Sequence, residues 1–424
     1  MTKRMLLAVL LLIVFALPAG CQKQGGEPTQ PTAPAPTILP TPTPEPAPTP
    51  TPDRVGEALA GMTVEQKAAQ LLVAGIEGTE PGEDAVQAVQ GYQVGGVILF
   101  GRNVESAEQL AALTNGLKEL NGDYTPLFLC VDQEGGRVDR MPPEASRTPS
   151  AWSVGQTLDT EGVGVSYGEL LAAECAAFGF NMDFAPSLDI WSNPDNTVIG
   201  DRAFGNDWEW TAFFGMSAVE GMEKQGTVIP VVKHFPGHGD TAVDSHTALP
   251  VVDKTLEDLW QSELVPFDMV LSGQFWGEPV MEPTPAVMVA HILLTQLDPE
   301  RPASLSPAVV TGLLREELGF AGAVLTDDLT MGAVTQSYGL VEAAVLAVEA
   351  GCDILLVCHG PDSVPAVRTA LLEAAASGRI TAERLDESGY RILRLKTEYA
   401  LTNEPVSPPD LEALNAQIGA VPVQ

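Results

Sequence analysis

Basic residues are scarce in this 424-residue chain: 22 Lys and Arg stand against 56 Asp and Glu, a formal charge of −34. A surface of that sign repels phosphate backbones, which excludes nucleic acid as a partner and favours neutral or cationic ligands. Long apolar runs are lacking too. The run "MLLAVLLLIVFAL" after Lys3 and Arg4 is about a dozen residues, against the roughly 20 that a spanning helix needs. That length suits the apolar region of a secretory signal. Cysteine is sparse, five residues with no C-x-x-C pair. Cys130, Cys175, Cys352 and Cys358 all lie in apolar runs. Cys352 and Cys358 share one expected strand and are too far apart along it to bond each other, so buried free thiols are expected. No G-x-G-x-x-G follows the first apolar run, which argues against an open dinucleotide-binding sheet. Histidine is also rare: five residues, three of them in "KHFPGHGDTAVDSH", Lys233 to His246.

The small residues of "LPAG" precede Cys21 in an order that resembles the bacterial lipobox. The resemblance implies a signal peptide over residues 1–20, a lipidated Cys21, and an exported protein held by that anchor on the outer face of the bacterial cytoplasmic membrane. Residues 22–53 are mostly Pro, Thr, Ala, Gln and Glu. Such a segment buries no core and lacks many backbone donors, so 21–53 is expected to be an extended tether.

From residue 54 to 402 short apolar runs alternate with helical patterns. The runs are "LLVAGI", "VGGVILF", "LFLCVDQ", "NMDFAPSLD", "VIPVVKHF", "AVMVAHI", "GAVLTDDL" and "CDILLVCH". Unbroken Val, Leu and Ile indicate burial on both faces, hence parallel strands, and this repetition predicts an α/β fold, a (β/α)8 TIM barrel. Polar residues close almost every run: Asp132, Asp183, Asp189, Lys233, His234, His291, Asp327, Asp328 and His359. In a barrel those ends converge on one face, where active sites are built. Residues 403–424 are expected to be a short tail. The stretch 273–285, "GQFWGEPVMEPTP", precedes the sixth strand, and is expected to plug the opposite face or contact a partner.

His234 and His238 have H-x3-H spacing, but Phe235-Pro236-Gly237 breaks the helix that would make them joint metal ligands, so no metal or other cofactor is expected. In "DSH", Asp244 and His246 point the same way if extended, so Asp244 can orient an imidazole that exchanges protons with substrate. Gly237 and Gly239 are expected to make that loop pliable. Asp327 and Asp328 should point to opposite sides of their strand, so only one enters the mouth; Asp328 suits a helix N-cap. A carboxylate facing a proton donor suggests covalent glycosyl transfer.

The motifs "VDQEGGRVDR", "NMDFAPSLDI", "VIGDRAFG", "KHFPGHGDTAVDSH" and "LTDDLTMGA" together resemble the bacterial β-N-acetylglucosaminidases of glycoside hydrolase family 3, the β-hexosaminidase type. The likeness runs over about residues 54 to 400. It implies a retaining exo-glycosidase that removes terminal N-acetylglucosamine from oligosaccharides or muropeptides, as a monomer. It assigns Asp327 as nucleophile, His246 as acid/base with Asp244 behind it, and Asp132, Arg140, Arg202, Lys233 and His234 as sugar-holding residues. Many family members carry a further α/β domain; the residues after 402 are too few for one, so the site should be complete within the barrel. A neutral acid/base group also tolerates an anionic acceptor, which keeps phosphorolysis open. The rivals are a metal-dependent hydrolase on the same barrel and a noncatalytic sugar-binding lipoprotein.

Overall fold

The computed structural model describes residues 53–157, 162–241 and 249–422. All eight expected runs are strands of one closed parallel barrel in chain order. They are β1 (Leu72–Gly75), β2 (Gly96–Ile98), β3 (Phe128–Val131), β4 (Met182–Asp183), β5 (Ile229–Phe235), β6 (Ala286–Val289), β7 (Ala323–Asp328) and β8 (Ile354–Val357). The barrel closes where Leu72 to Ala74 pair with Leu355 to Val357. Burial on both faces is the reason the strands read as continuous apolar runs.

Helices cover the outside: α1 (Ala107–Asn121), α2 (Val163–Ala177), α3 (Trp208–Gln225), α4 (Leu264–Ser272), α5 (Ala308–Glu317) and α6 (Leu340–Ala350), followed by α7 (Ser363–Ala376) and α8 (Ala382–Glu398). Ser106 and Asp207 cap α1 and α3 by accepting from N–H groups in the first turn. Helices α8 and α5 are tied to the start of β8 through Asp353. This buried carboxylate takes Arg315 at 2.6 Å, Arg384 at 2.8 Å and Arg391 at 3.1 Å. Burial opposes its charge, and the three guanidiniums overcome that and hold its pKa below the ordinary range. Beyond residue 402 a helix, α9 (Leu411–Ala420), buries Leu414 and Ile418, and Asn415 binds the backbone at Glu144 and Ser146.

Two register irregularities decide how the site is built. Between Val232 and Phe235 of β5 three steps face two on β6, Val287 to Val289. Between Leu325 and Asp328 of β7 three steps face two on β8, Ile354 to Leu356. Such bulges break the two-residue alternation and re-aim side chains. They fall at Lys233-His234 and at Thr326-Asp327.

Residues 273–285 do not plug the barrel. Gln274–Phe275 and Glu278–Pro279 form an antiparallel hairpin that lies along the outside of α3, with Trp276 at its tip against Trp208. Its base borders a cavity of about 740 Å³ at the barrel end where the strands begin, with Arg391 and Tyr399 on the far wall. Cys130, Cys175, Cys352 and Cys358 are buried free thiols, as expected. Among the described residues no helix is long and apolar enough to cross a membrane.

Candidate active site

At the opposite end, where the strands finish, a cavity of about 490 Å³ opens. Every described member of the expected sugar-holding set lines it: Asp132, Arg140, Arg202, Lys233 and His234, with Asp327 across from them. Asp244 and His246 lie in 242–248, and Cys21 in 1–52, outside the described residues.

The cationic wall is organised by a residue the sequence reading passed over, Glu134. Its carboxylate takes Arg202 at two points, Nε to Oε2 and Nη2 to Oε1, both 2.8 Å. Lys233 Nζ approaches the same carboxylate at 2.5 Å and Asp132 Oδ1 at 2.6 Å. Burial alone would raise the Glu134 carboxyl; Arg202 and then Lys233 reverse this and hold it far below the usual carboxylate range. Burial likewise works to discharge Lys233, but Asp132 and Glu134 raise its pKa and keep the ammonium. Glu134 stands two residues after Asp132 in "VDQEGG", and that acidic i, i+2 pair was the available signal.

His234 is held from both sides. Its Nδ1 is 2.5 Å from Asp189 Oδ2, and its Nε2 is 3.1 Å from Arg202 Nη2. A guanidinium only donates, so Nε2 accepts and the proton sits on Nδ1, donated to Asp189. Burial opposes charge on Asp189, but the His234 ring and the His238 backbone N–H hold its pKa below the ordinary range. Asp189, Asp183 and His291 are fully buried behind the cavity wall, and correct the expectation that all strand-end polar groups face the mouth. Asp183 accepts from Gln133 N at 2.9 Å, and burial raises its pKa well above the ordinary range. His291 is taken up by Ser304 Oγ at 2.6 Å and Asp328 O at 3.0 Å.

Asp327 and Asp328 both border the cavity, because the β7 bulge breaks the alternation that would have sent one outward. They differ in their bonds. Asp328 is not a helix N-cap: it accepts from Thr330 N at 2.9 Å, Thr330 Oγ1 at 2.5 Å and Cys358 N at 3.1 Å, so it ties the loop to β8. Asp327 accepts from the Asp328 N–H at 2.8 Å. Burial raises its pKa, but His291, His234 and that N–H outweigh burial and leave it lowered. A carboxylate ionised at neutral pH, opposite a cationic wall, has the chemistry to attack an anomeric carbon.

The turn after β5 is tighter than expected. A Cβ on Gly239 would fall 1.7 Å from Ile190 O, so that glycine permits a close backbone approach and does not loosen the loop. Gly237, at φ 125°, occupies a backbone region that favours glycine. His234 and His238 meet edge to face at 5.9 Å, and His238 Nδ1 lies 2.7 Å from Thr241 Oγ1, so the two rings do not converge as H-x3-H ligands. Among the described residues no group of three or more His, Cys, Asp or Glu side chains is arranged to hold a metal ion.

The model of the glycosyl hydrolase family 3 N-terminal domain matches residues 63–395. A β-hexosaminidase of Alkalilimnicola ehrlichii is 38% identical over 301 residues, 70% of this chain and 82% of that protein. β-Hexosaminidase A of Pseudoalteromonas piscicida is 32% identical over 362 residues; the match takes in 78% of this chain but only 59% of that longer protein. A family 3 β-N-acetylglucosaminidase from Paenibacillus sp. str. FPU-7 superposes with a TM-score of 0.79 at 40% identity, over 85% of this chain and 68% of that one. With the barrel, the cation-walled cavity and these relatives in agreement, the chain belongs to glycoside hydrolase family 3 and is a glycoside hydrolase of the β-hexosaminidase type.

Proposed function

We propose that the protein is a retaining exo-β-N-acetylglucosaminidase acting on peptidoglycan fragments or related glycosides. The observation that carries this reading is Asp327, its pKa lowered, facing Lys233, His234 and Arg202 across one cavity. In the first step the Asp327 carboxylate bonds to C1 of the sugar while His246, oriented by Asp244, gives its proton to the departing glycosidic oxygen. In the second step His246 takes a proton from water, which attacks C1 and frees Asp327. Asp132, Arg140 and Lys233 hold the hydroxyl groups of the ring, Arg202 holds His234 and Glu134 in place, and the His234 ring, with both nitrogens engaged, shapes the cavity wall. The names of the relatives support an amino sugar in this cavity.

Three measurements test the reading. Chromogenic N-acetylglucosaminide should be cleaved far faster than the matching glucoside. A fluorinated sugar that traps the covalent adduct should label Asp327; labelling of any other residue refutes the assignment. Product analysis with and without inorganic phosphate separates hydrolysis from phosphorolysis. The proposal includes export and a lipid anchor at Cys21, with the barrel as a monomer at the end of its tether. Cys21→Ala should move the protein from the membrane fraction to the soluble one.

A further inference from the structure

One irregular segment brings four side chains to the catalytic cavity. Residues 132–148 follow β3 without a helix or a barrel strand, yet Asp132, Glu134, Val138 and Arg140 all line the cavity. A chain of this kind has no ladder of its own, so its place has to be set by bonds to something rigid.

The rigid element is α2. Tyr167 and Glu174 stand seven residues apart, about two turns, and so share one face of that helix. Both are buried. Tyr167 donates its hydroxyl to Glu134 O. Glu174 accepts from Gln133 Nε2 at 2.9 Å and from Thr148 Oγ1 at 2.6 Å. Gln133 and Thr148 lie at the two ends of the segment, and Gly136 N draws them together by donating to Thr148 O at 2.9 Å. One carboxyl group therefore clasps both ends of the loop.

Gln133 passes the constraint on. Its backbone N–H is anchored on Asp183 Oδ1 at 2.9 Å. Glu174 takes the nitrogen end of its side-chain amide, which leaves the oxygen end for the Arg140 N–H, accepted at 2.8 Å. Glu174, Gln133 and Thr148 do not themselves line the cavity; Arg140 does.

The clasp is also sensitive to charge. Burial pushes the Glu174 pKa up to about 7; Thr148 and Gln133 oppose the rise, and Asp139 of the same segment adds to it. Asp139 is itself 3.2 Å from Arg147, an exposed side chain. On α2, Tyr167 and Cys175 face Glu174 and are held in their protonated forms by burial, with the charges of Glu174 and of Asp183 on β4 adding to that. The clasped loop thus holds the Glu174 proton more tightly than a loosened, hydrated one. Its advantage is complete below about 4.5 and declines as pH rises to about 7.

We propose that Glu174 is a positioning residue for substrate binding: through Gln133 it sets where Arg140 stands in the catalytic cavity, and so how tightly the sugar is held, without touching the sugar. The inference rests on the reading above that Arg140 holds the sugar ring.

The test uses two substitutions at this position. Glu174→Gln reproduces the protonated acid at every pH, with an oxygen to accept from Gln133 and a nitrogen to donate to Thr148 Oγ1. Glu174→Leu removes both bonds. Steady-state rates on a chromogenic N-acetylglucosaminide are followed from about pH 4.5 to about 8, with Arg140→Gln and the double variant Glu174→Leu/Arg140→Gln alongside. Glu174→Leu should raise KM about tenfold and leave kcat within about twofold. Relative to Glu174→Gln, the wild-type KM should rise about tenfold between about pH 4.5 and about 7 and then level off; the ratio cancels groups that titrate in both proteins. The double variant should bind no more weakly than Arg140→Gln alone, since both changes act on one interaction. A KM ratio that is flat with pH, or a double variant whose loss is the product of the single losses, overturns the positioning role even where the melting temperature falls. Where Glu174→Leu does not fold, the pH ratio against Glu174→Gln decides alone.

Amide exchange at the Arg140 N–H reads the same link without substrate. Glu174→Leu should lose about tenfold of its protection there while the barrel strands keep theirs. That loss in a protein that cleaves no N-acetylglucosaminide keeps the link from Glu174 to Arg140 and overturns the amino-sugar reading instead. Unaltered protection overturns the link, whatever the activity.

Discussion

Glu134 and Arg202 form a two-point ion pair, with both contacts at 2.8 Å, and Glu134 uses the same carboxylate to hold Lys233. One buried anion therefore spaces two cations of the cavity wall. Glu134→Gln keeps the shape and removes the charge, leaving Lys233 with the Asp132 carboxylate at 2.6 Å. Removing one member of a buried pair costs about 3–5 kcal/mol. Thermal unfolding should show that loss. Steady-state kinetics should show a raised KM as well as a lowered kcat, since Lys233 and Arg202 no longer keep their separation.

Asp327 and Asp328 should separate cleanly. Asp327→Ala loses one local hydrogen bond and should melt close to wild type while turnover disappears. Asp328→Ala strips acceptors from Thr330 and from the buried Cys358 N–H and should cost about 1–3 kcal/mol of stability. Melting curves and turnover of both variants decide this; a stable, inactive Asp328→Ala would reverse the roles. Because the Asp327 pKa is lowered, the acid limb of kcat/KM should lie below its ordinary value of 3.8.

Glu174 gives a stability signature beneath the site. It accepts from Gln133 Nε2 at 2.9 Å and Thr148 Oγ1 at 2.6 Å, and burial pushes its pKa up to about 7 from 4.5. The folded state then holds the proton more tightly than the unfolded chain. The contribution is complete below about 4.5 and is lost as pH rises through about 7, a change of about 3 kcal/mol. Glu174→Gln should flatten the fall in melting temperature over that window. Gln133 also accepts from Arg140 N at 2.8 Å, so KM should be recorded across the same pH range.

His246 matters in proportion to how poor the leaving group is. His246→Ala should slow natural disaccharides by about 10²–10⁴ and activated aryl glycosides much less, with azide restoring breakdown of the Asp327 adduct. Asp244→Asn should impair both steps less completely, because the imidazole remains but is no longer oriented. Equal losses on every leaving group, with no effect of azide, would make His246 a binding residue.

The sequence by itself determined the barrel. Strands buried on both faces must be continuous apolar runs, so all eight could be read, and their polar ends showed which face carries the chemistry. It also singled out residues that share a cavity, since Asp132, Arg140, Arg202, Lys233 and His234 do meet in one. Only the tertiary structure decided how they are aimed. Bulges in β5 and β7 bring the neighbours Lys233 and His234, and Asp327 and Asp328, to the same cavity, where strand alternation would have separated each pair. A bulge depends on pairing with the next strand, which a local pattern does not record. Glu134 went unread because its partners lie 68 residues away at Arg202 and farther still at Lys233. Part of 273–285, Gln274 and Glu282 to Pro285, does border the expected barrel end, but its hairpin along α3 went unread because its apolar side chains have no period of their own. They fit the outer face of α3, and only the folded barrel presents that face.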